Sequence, residues 1–138
     1  VCIWDTQKQK ILYADDACDN EQVTYSFAHY YVIEDIKSYG MPVGKTTFDT
    51  CKAIGQFQER LKQREVVAQM VTKPEIQLHF CNTSRAKDAN IKRVLLDRFG
   101  EKGTKKNQGL LYPLKNHSWD AFALCIYFED HMNIIDKL

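Results

Sequence analysis

The stretch "YYVIEDI", residues 30–36, decides how the chain is read. Tyr30, Tyr31, Val32 and Ile33 form an unbroken β-prone run, the pattern of a strand buried on both faces. The run ends in Glu34 and Asp35, and a Gly/Pro turn follows. Upstream, "VCIWD" (1–5), "TQKQ" (6–9) and "KILYADDA" (10–17) read as a β-hairpin, two apolar runs around a polar turn. "NEQVTYSFAH" (20–29) is a connector with room for one helical turn.

Downstream, Phe48, Cys51, Ile54, Phe57 and Leu61 recur at spacings of three and four, which predicts a helix from Lys45 to Arg64 with that stripe inward. Gly55 interrupts good helix formers and marks close approach to a neighbour. "EVVAQMV" (65–71) is a further strand. "PEIQLHFC" (74–81) opens on Pro74 and reads as one or two helical turns. Residues 84–99 form the next helix, with Ser84 as N-cap, Ile91, Val94, Leu95 and Phe99 as apolar stripe and Gly100 as stop. "EKGTKKNQG" (101–109) is a flexible basic loop. A last helix runs from His117 to His131 and buries Trp119, Phe122, Ala123, Ile126 and Tyr127. Hairpin, strand, helix, strand, helix, helix is the order of an α/β domain. Its sheet would be mixed, an antiparallel meander followed by parallel crossovers. With 138 residues and no linker or repeat, the chain is expected to be one domain over 1–138.

Composition narrows the function. No apolar run is long enough to cross a bilayer, so a membrane partner is not expected. Five cysteines without a CxxC pair point to reduced thiols in a cytoplasmic protein. The net charge is only +1 but is unevenly spread. Residues 1–50 carry four Lys against eight Asp/Glu, and residues 73–106 carry nine Lys/Arg against four Asp/Glu. A basic half beside acidic residues suits an enzyme that holds a polyanion against metal-binding carboxylates. "SYGMPVGKTTFD" (38–49) looks like a phosphate-binding loop, but only three residues separate Gly40 from Gly44 where four are needed. A nucleoside triphosphate is therefore not expected. Thr46 or Thr47 near an N-cap remains its structural role.

Three residues carry candidate chemistry. Glu34 ends a strand just before a turn, where open α/β sheets bind ligands. His117 and Asp120 stand three apart at the start of the last helix, so they share one face. An imidazole and two carboxylates make a plausible set for Mg²⁺ or Mn²⁺. Arg85, Lys87, Lys92 and Arg93 on the preceding helix, with Lys102, Lys105 and Lys106 on the loop, could each contact phosphate. None shows a base-reading pattern.

The segments "YYVIEDIKSYGMPVGKTTFDTCKAIGQF", "EIQLHFCNTSRAKDANIKRVLLDRFGEKGTKKNQG" and "KNHSWDAFALCIYFED" together resemble the phage-type branch of RuvC-like Holliday-junction resolvases, within the RNase H-like nuclease superfamily. The resemblance implies an RNase H-like mixed sheet flanked by helices, and four metal-binding residues. Glu34 matches the acid at the end of a strand, and His117 and Asp120 match the paired ligands at the start of the last helix. The first acid, an Asp on the leading strand, has no counterpart. Asp5 ends its strand beside a turn and does not replace it. Val1 already lies in a strand-like run, so the chain reads as lacking its first strand, and as inactive without it.

The implied activity is Mg²⁺- or Mn²⁺-dependent hydrolysis of phosphodiesters in four-way or other branched DNA, with two ions and a homodimer making paired nicks. The setting would be the cytoplasm of a bacterial cell, with recombination or repair as the process and phage as a possible origin. The alternative is a catalytically inactive module of the same fold that binds branched DNA or a partner protein.

Overall fold

The computed structural model describes residues 1–18, 22–23, 28–37 and 40–136, with side chains through residue 134. Most of the 20–29 connector, and Ser38 and Tyr39, lie outside the described residues. The described residues are mixed α/β, with four helices and two small sheets among them. The chain divides into two compact units, one of residues 1–18 and 73–138, the other of residues 19–72.

The first unit opens with the expected hairpin. Strands β1 (Cys2–Asp5) and β2 (Lys10–Ala14) pair antiparallel. Asp5 shapes the turn, its Oδ1 accepting the backbone N–H of Gln7 and of Lys8 at 2.9 Å each. Trp4 pairs with Ile11 and Ile3 with Tyr13, so Leu12 is the extra residue of a β-bulge and is exposed.

Three helices complete this unit: α2 (Lys73–Cys81), α3 (Asp88–Phe99) and α4 (Ser118–Asp136). The label α1 belongs to the second unit's helix, Lys45–Gln63. The core is built from Ile76 of α2, Ile91 and Leu95 of α3, Leu111 and Leu114 of the following segment, and Trp119, Phe122, Ala123 and Ile126 of α4. Trp4, Phe99 and Phe122 meet edge to face at centroid distances of 5.4–5.7 Å, which ties the hairpin to α3 and α4. The indole N–H of Trp4 finds Glu129 at 3.0 Å.

Two details differ from the sequence reading. Ser84 does not cap α3; the helix begins at Asp88, and Lys87 is the N-cap residue. The Asn90 side chain accepts the Lys87 backbone N–H at 2.9 Å, which satisfies the helix start without a Ser hydroxyl. Gly100 does end the helix, at φ +92°, a conformation that favours glycine.

The basic loop is a built turn. The Thr104 N–H bonds Asn107 O at 3.0 Å and the Gly109 N–H bonds Lys102 O at 2.8 Å. A Cβ on Gly103 would lie 2.2 Å from Asn107 O, and one on Gly109 would lie 2.1 Å from Glu101 O. Only glycine fits either place.

The second unit is a strand–helix–strand unit. β3 (Val32–Asp35) and β4 (Gln69–Thr72) pair parallel, Glu34 opposite Val71, with α1 between them in sequence. Parallel pairing requires such a crossover. β3 is half-buried throughout, where a strand buried on both faces was expected. It has one partner strand among the described residues, so one edge and part of each face are not covered by sheet.

β4 starts four residues later than the run Glu65–Val71 suggests. Glu65 takes φ +60° as the chain leaves the helix, which breaks the extended pattern. The stripe of α1 is buried only at its C-terminal end. Leu61 is fully buried and Phe57 meets Tyr31 at 6.3 Å, whereas Phe48 is 57% exposed and Cys51 is exposed. Gly55 has nothing within 4 Å of an added Cβ, so no close approach explains it. Gly44 is the N-cap residue and no side chain caps the helix, so neither Thr46 nor Thr47 does.

The expected single mixed sheet is thus two separate two-stranded sheets among the described residues, one antiparallel and one parallel.

Candidate active site

Helix α4 begins where the chain turns sharply at Asn116, at φ +40°. Ser118 is buried, and its hydroxyl donates to Lys115 O at 2.6 Å while accepting the Lys115 N–H at 2.7 Å. This locks the first turn. Asp16, just after β2, reaches the same point. Its carboxylate accepts the His117 backbone N–H at 2.6 Å and the Asn116 amide at 3.2 Å. A carboxylate at a helix N-terminus satisfies otherwise unpaired N–H groups and complements the dipole.

The locked turn presents His117 and Asp120 side by side. His117 Nδ1 lies 3.9 Å from Asp120 Oδ2, too long for a hydrogen bond between them. His117 is 85% exposed and Asp120 39%. Both line a cleft of about 490 Å³, together with Asp16, Asp88, Lys92 and Trp119. Trp119 points into the core as expected, and Lys92 Nζ lies 4.8 Å from its ring centroid.

The sequence reading missed Asp16, Asp88 and Lys73. Asp88 is a first-turn acid of α3, and Lys73 is the first residue of α2. Lys73 Nζ stands 2.5 Å from Asp88 Oδ1 and 3.4 Å from Asp120 Oδ1. The first turns of α2, α3 and α4 therefore meet around one ammonium. Asp88 falls inside the helix read from Ser84, and no local pattern links it to Lys73, 15 residues earlier.

The chemistry of His117 and Asp120 suits a divalent cation that takes oxygen and imidazole donors. Their number does not complete a shell. Among the described residues, no three His, Cys, Asp or Glu side chains converge as a metal-holding group. Glu34 lies in the second unit, near the end of β3.

The basic residues sort by what they touch. Arg93 is held by Asp97 at 2.6 Å and Glu101 at 3.0 Å, which raises its pKa above the ordinary guanidinium value. Lys102 donates to Leu114 O at 2.6 Å; burial first, then the charges of Lys92 and Lys115, push its pKa down. Arg85, Lys87, Lys92, Lys105 and Lys106 are exposed. Lys105 and Lys106 occupy the tip of the glycine-built turn.

A second polar cluster joins α2, α3 and α4. Asp130 accepts from both guanidinium nitrogens of Arg98, at 2.8 and 2.6 Å, and pairs with His79 Nε2 at 2.7 Å. Burial works against ionisation of Asp130, but the hydrogen bonds from Arg98 and His79 outweigh it and hold the carboxyl below its ordinary range. His79 is also packed against Phe80, Tyr127 and His131. This is a structural role.

No helix among the described residues is long and apolar enough to cross a membrane. No protein-family model matches the chain, and no curated protein matches its sequence.

Proposed function

We propose that this chain is a metal-dependent, structure-selective endonuclease of the RNase H-like, RuvC-like type, acting on four-way or other branched DNA. The observation that carries the reading is the locked first turn of α4, which sets the imidazole of His117 and the carboxylate of Asp120 on one cleft.

Asp120 would supply a carboxylate to Mg²⁺ or Mn²⁺. The ions, when bound, supply activation of a water and stabilisation of the leaving 3′-oxygen. His117, exposed and next to Asp120, can orient that water or carry its proton away. Lys105 and Lys106 fit phosphate of the DNA backbone, as point charges that read position and not sequence. Two such chains would make the paired nicks that resolving a junction requires.

One observation favours a second reading, a module that binds branched DNA without cutting it: Asp120 already has a cationic neighbour in Lys73. Nicking of a four-way junction in Mg²⁺ separates the two. It is assayed on the chain together with any in-frame coding sequence upstream of Val1. Cutting supports the enzyme; tight binding without cutting supports the module.

A further inference from the structure

Three lysines from separate segments of the first unit come together beside the glycine-built turn. Lys92 is on α3, Lys102 is at the base of the turn, and Lys115 precedes α4. Core residues fix two of the ammoniums. Lys102 Nζ donates to the carbonyl of Leu114, a fully buried residue, at 2.6 Å, next in sequence to Lys115. Lys92 Nζ lies 4.8 Å from the ring centroid of the buried Trp119.

The electrostatics here are one-sided. Lys92 and Lys115 both repel charge on Lys102 and add to the cost of its burial, and no carboxylate offsets them. The acids of the neighbourhood are engaged elsewhere. Asp88 and Asp120 hold Lys73, Asp16 holds the start of α4, and Asp97 and Glu101 hold Arg93. Among the described residues, Lys92, Lys102 and Lys115 form no ion pair. Tethered like charges cannot splay apart as free surface lysines do, and an anion among them relieves the repulsion. Lys102 uses one of its three donors on Leu114, so two are left for such an anion.

We propose that Lys92, Lys102 and Lys115 form a seat for one phosphate group. The seat needs neither a metal ion nor cutting, so it goes beyond the reading above. The phosphate has two sources, the inorganic ion and a DNA backbone, and the test separates them.

The test is titration of the lysine amines by nuclear magnetic resonance, on the full chain with carbon-13-labelled lysine, at constant ionic strength in chloride. Inorganic phosphate should raise the titration midpoint of Lys102, because an anion favours the charged amine. Lys92→Met and Lys115→Met should each weaken phosphate binding about fivefold. Lys8→Met, which removes the same charge from the exposed hairpin turn, should change it by less than about twofold. Circular dichroism checks folding, and Lys92→Gln or Lys115→Gln replaces a variant that does not fold.

A four-way junction that raises the same midpoint, and is displaced from Lys102 by phosphate, puts DNA backbone in the seat. A rise with phosphate alone makes it a seat for the free ion. No rise with either probe, or equal effects of Lys92→Met, Lys115→Met and Lys8→Met, overturns the proposal. Junction binding that persists in that case leaves the DNA reading standing; phosphate binding at Lys102 with no junction binding at all keeps the seat and removes that reading.

Discussion

Arg98 grips Asp130 through both carboxylate oxygens, at 2.8 and 2.6 Å, from a helix 32 residues away in sequence. His79 completes the contact from a third helix. This polar link among the three helices of the first unit therefore depends on one ionised carboxylate.

That dependence sets an acid limit. The folded pKa of Asp130 is lowered, so its contribution is present above the unfolded value and is lost as pH falls through the folded one. Asp130→Asn should cost about 2 kcal/mol at neutral pH, as expected for hydrogen bonds to a charged group. Urea unfolding at a series of pH values should show the gap between the two proteins closing below about pH 4, the ordinary carboxylate range. A gap of constant size down to pH 2 would contradict this role.

The glycines differ sharply. Gly103→Ala and Gly109→Ala would press a Cβ to within 2.2 and 2.1 Å of backbone oxygens, and each should cost about 2 kcal/mol or more in urea unfolding. Gly55→Ala, with open space around it inside α1, should stabilise by about 0.5–1 kcal/mol. Equal effects at the three positions would refute the distinction.

The basic turn gives a prediction about salt. Replacing Lys105 and Lys106 by Ala should weaken binding to a four-way junction and lower the slope of log affinity against log salt by about 2. Arg93→Ala should change that slope little, because Asp97 and Glu101 already hold its guanidinium. Fluorescence anisotropy over a salt series measures both, and a larger slope change for Arg93→Ala would reverse the assignment.

Much of the fold was legible because it is local. The hairpin, α1, α3 and α4 follow from apolar spacing and turn residues within a few positions, and Gly100 marks the end of α3 by its backbone conformation alone. What failed depends on partners distant in sequence. The inward stripe of α1 runs through Phe48 by spacing, but that side chain is exposed. Ser84 looked like a cap because of its type, whereas Asn90 makes the bond three residues after Lys87.

The site divides the same way. His117 and Asp120 are paired by helical spacing, which sequence displays. Asp16 and Lys73 come to α4 through tertiary packing, which leaves no periodic trace. The two-sheet arrangement also had no local signal, since a strand's sequence does not name its neighbour.

The proposed activity is metal-dependent cutting that is lost on changing either Asp120 or Glu34. The direct measurement is single-turnover nicking of a labelled four-way junction in Mg²⁺, on the chain with any in-frame upstream coding sequence. Glu34→Gln and Asp120→Asn should each reduce the rate by at least about a hundredfold, with junction binding retained. Nicking that persists in both variants, or that needs no divalent cation, would contradict the account.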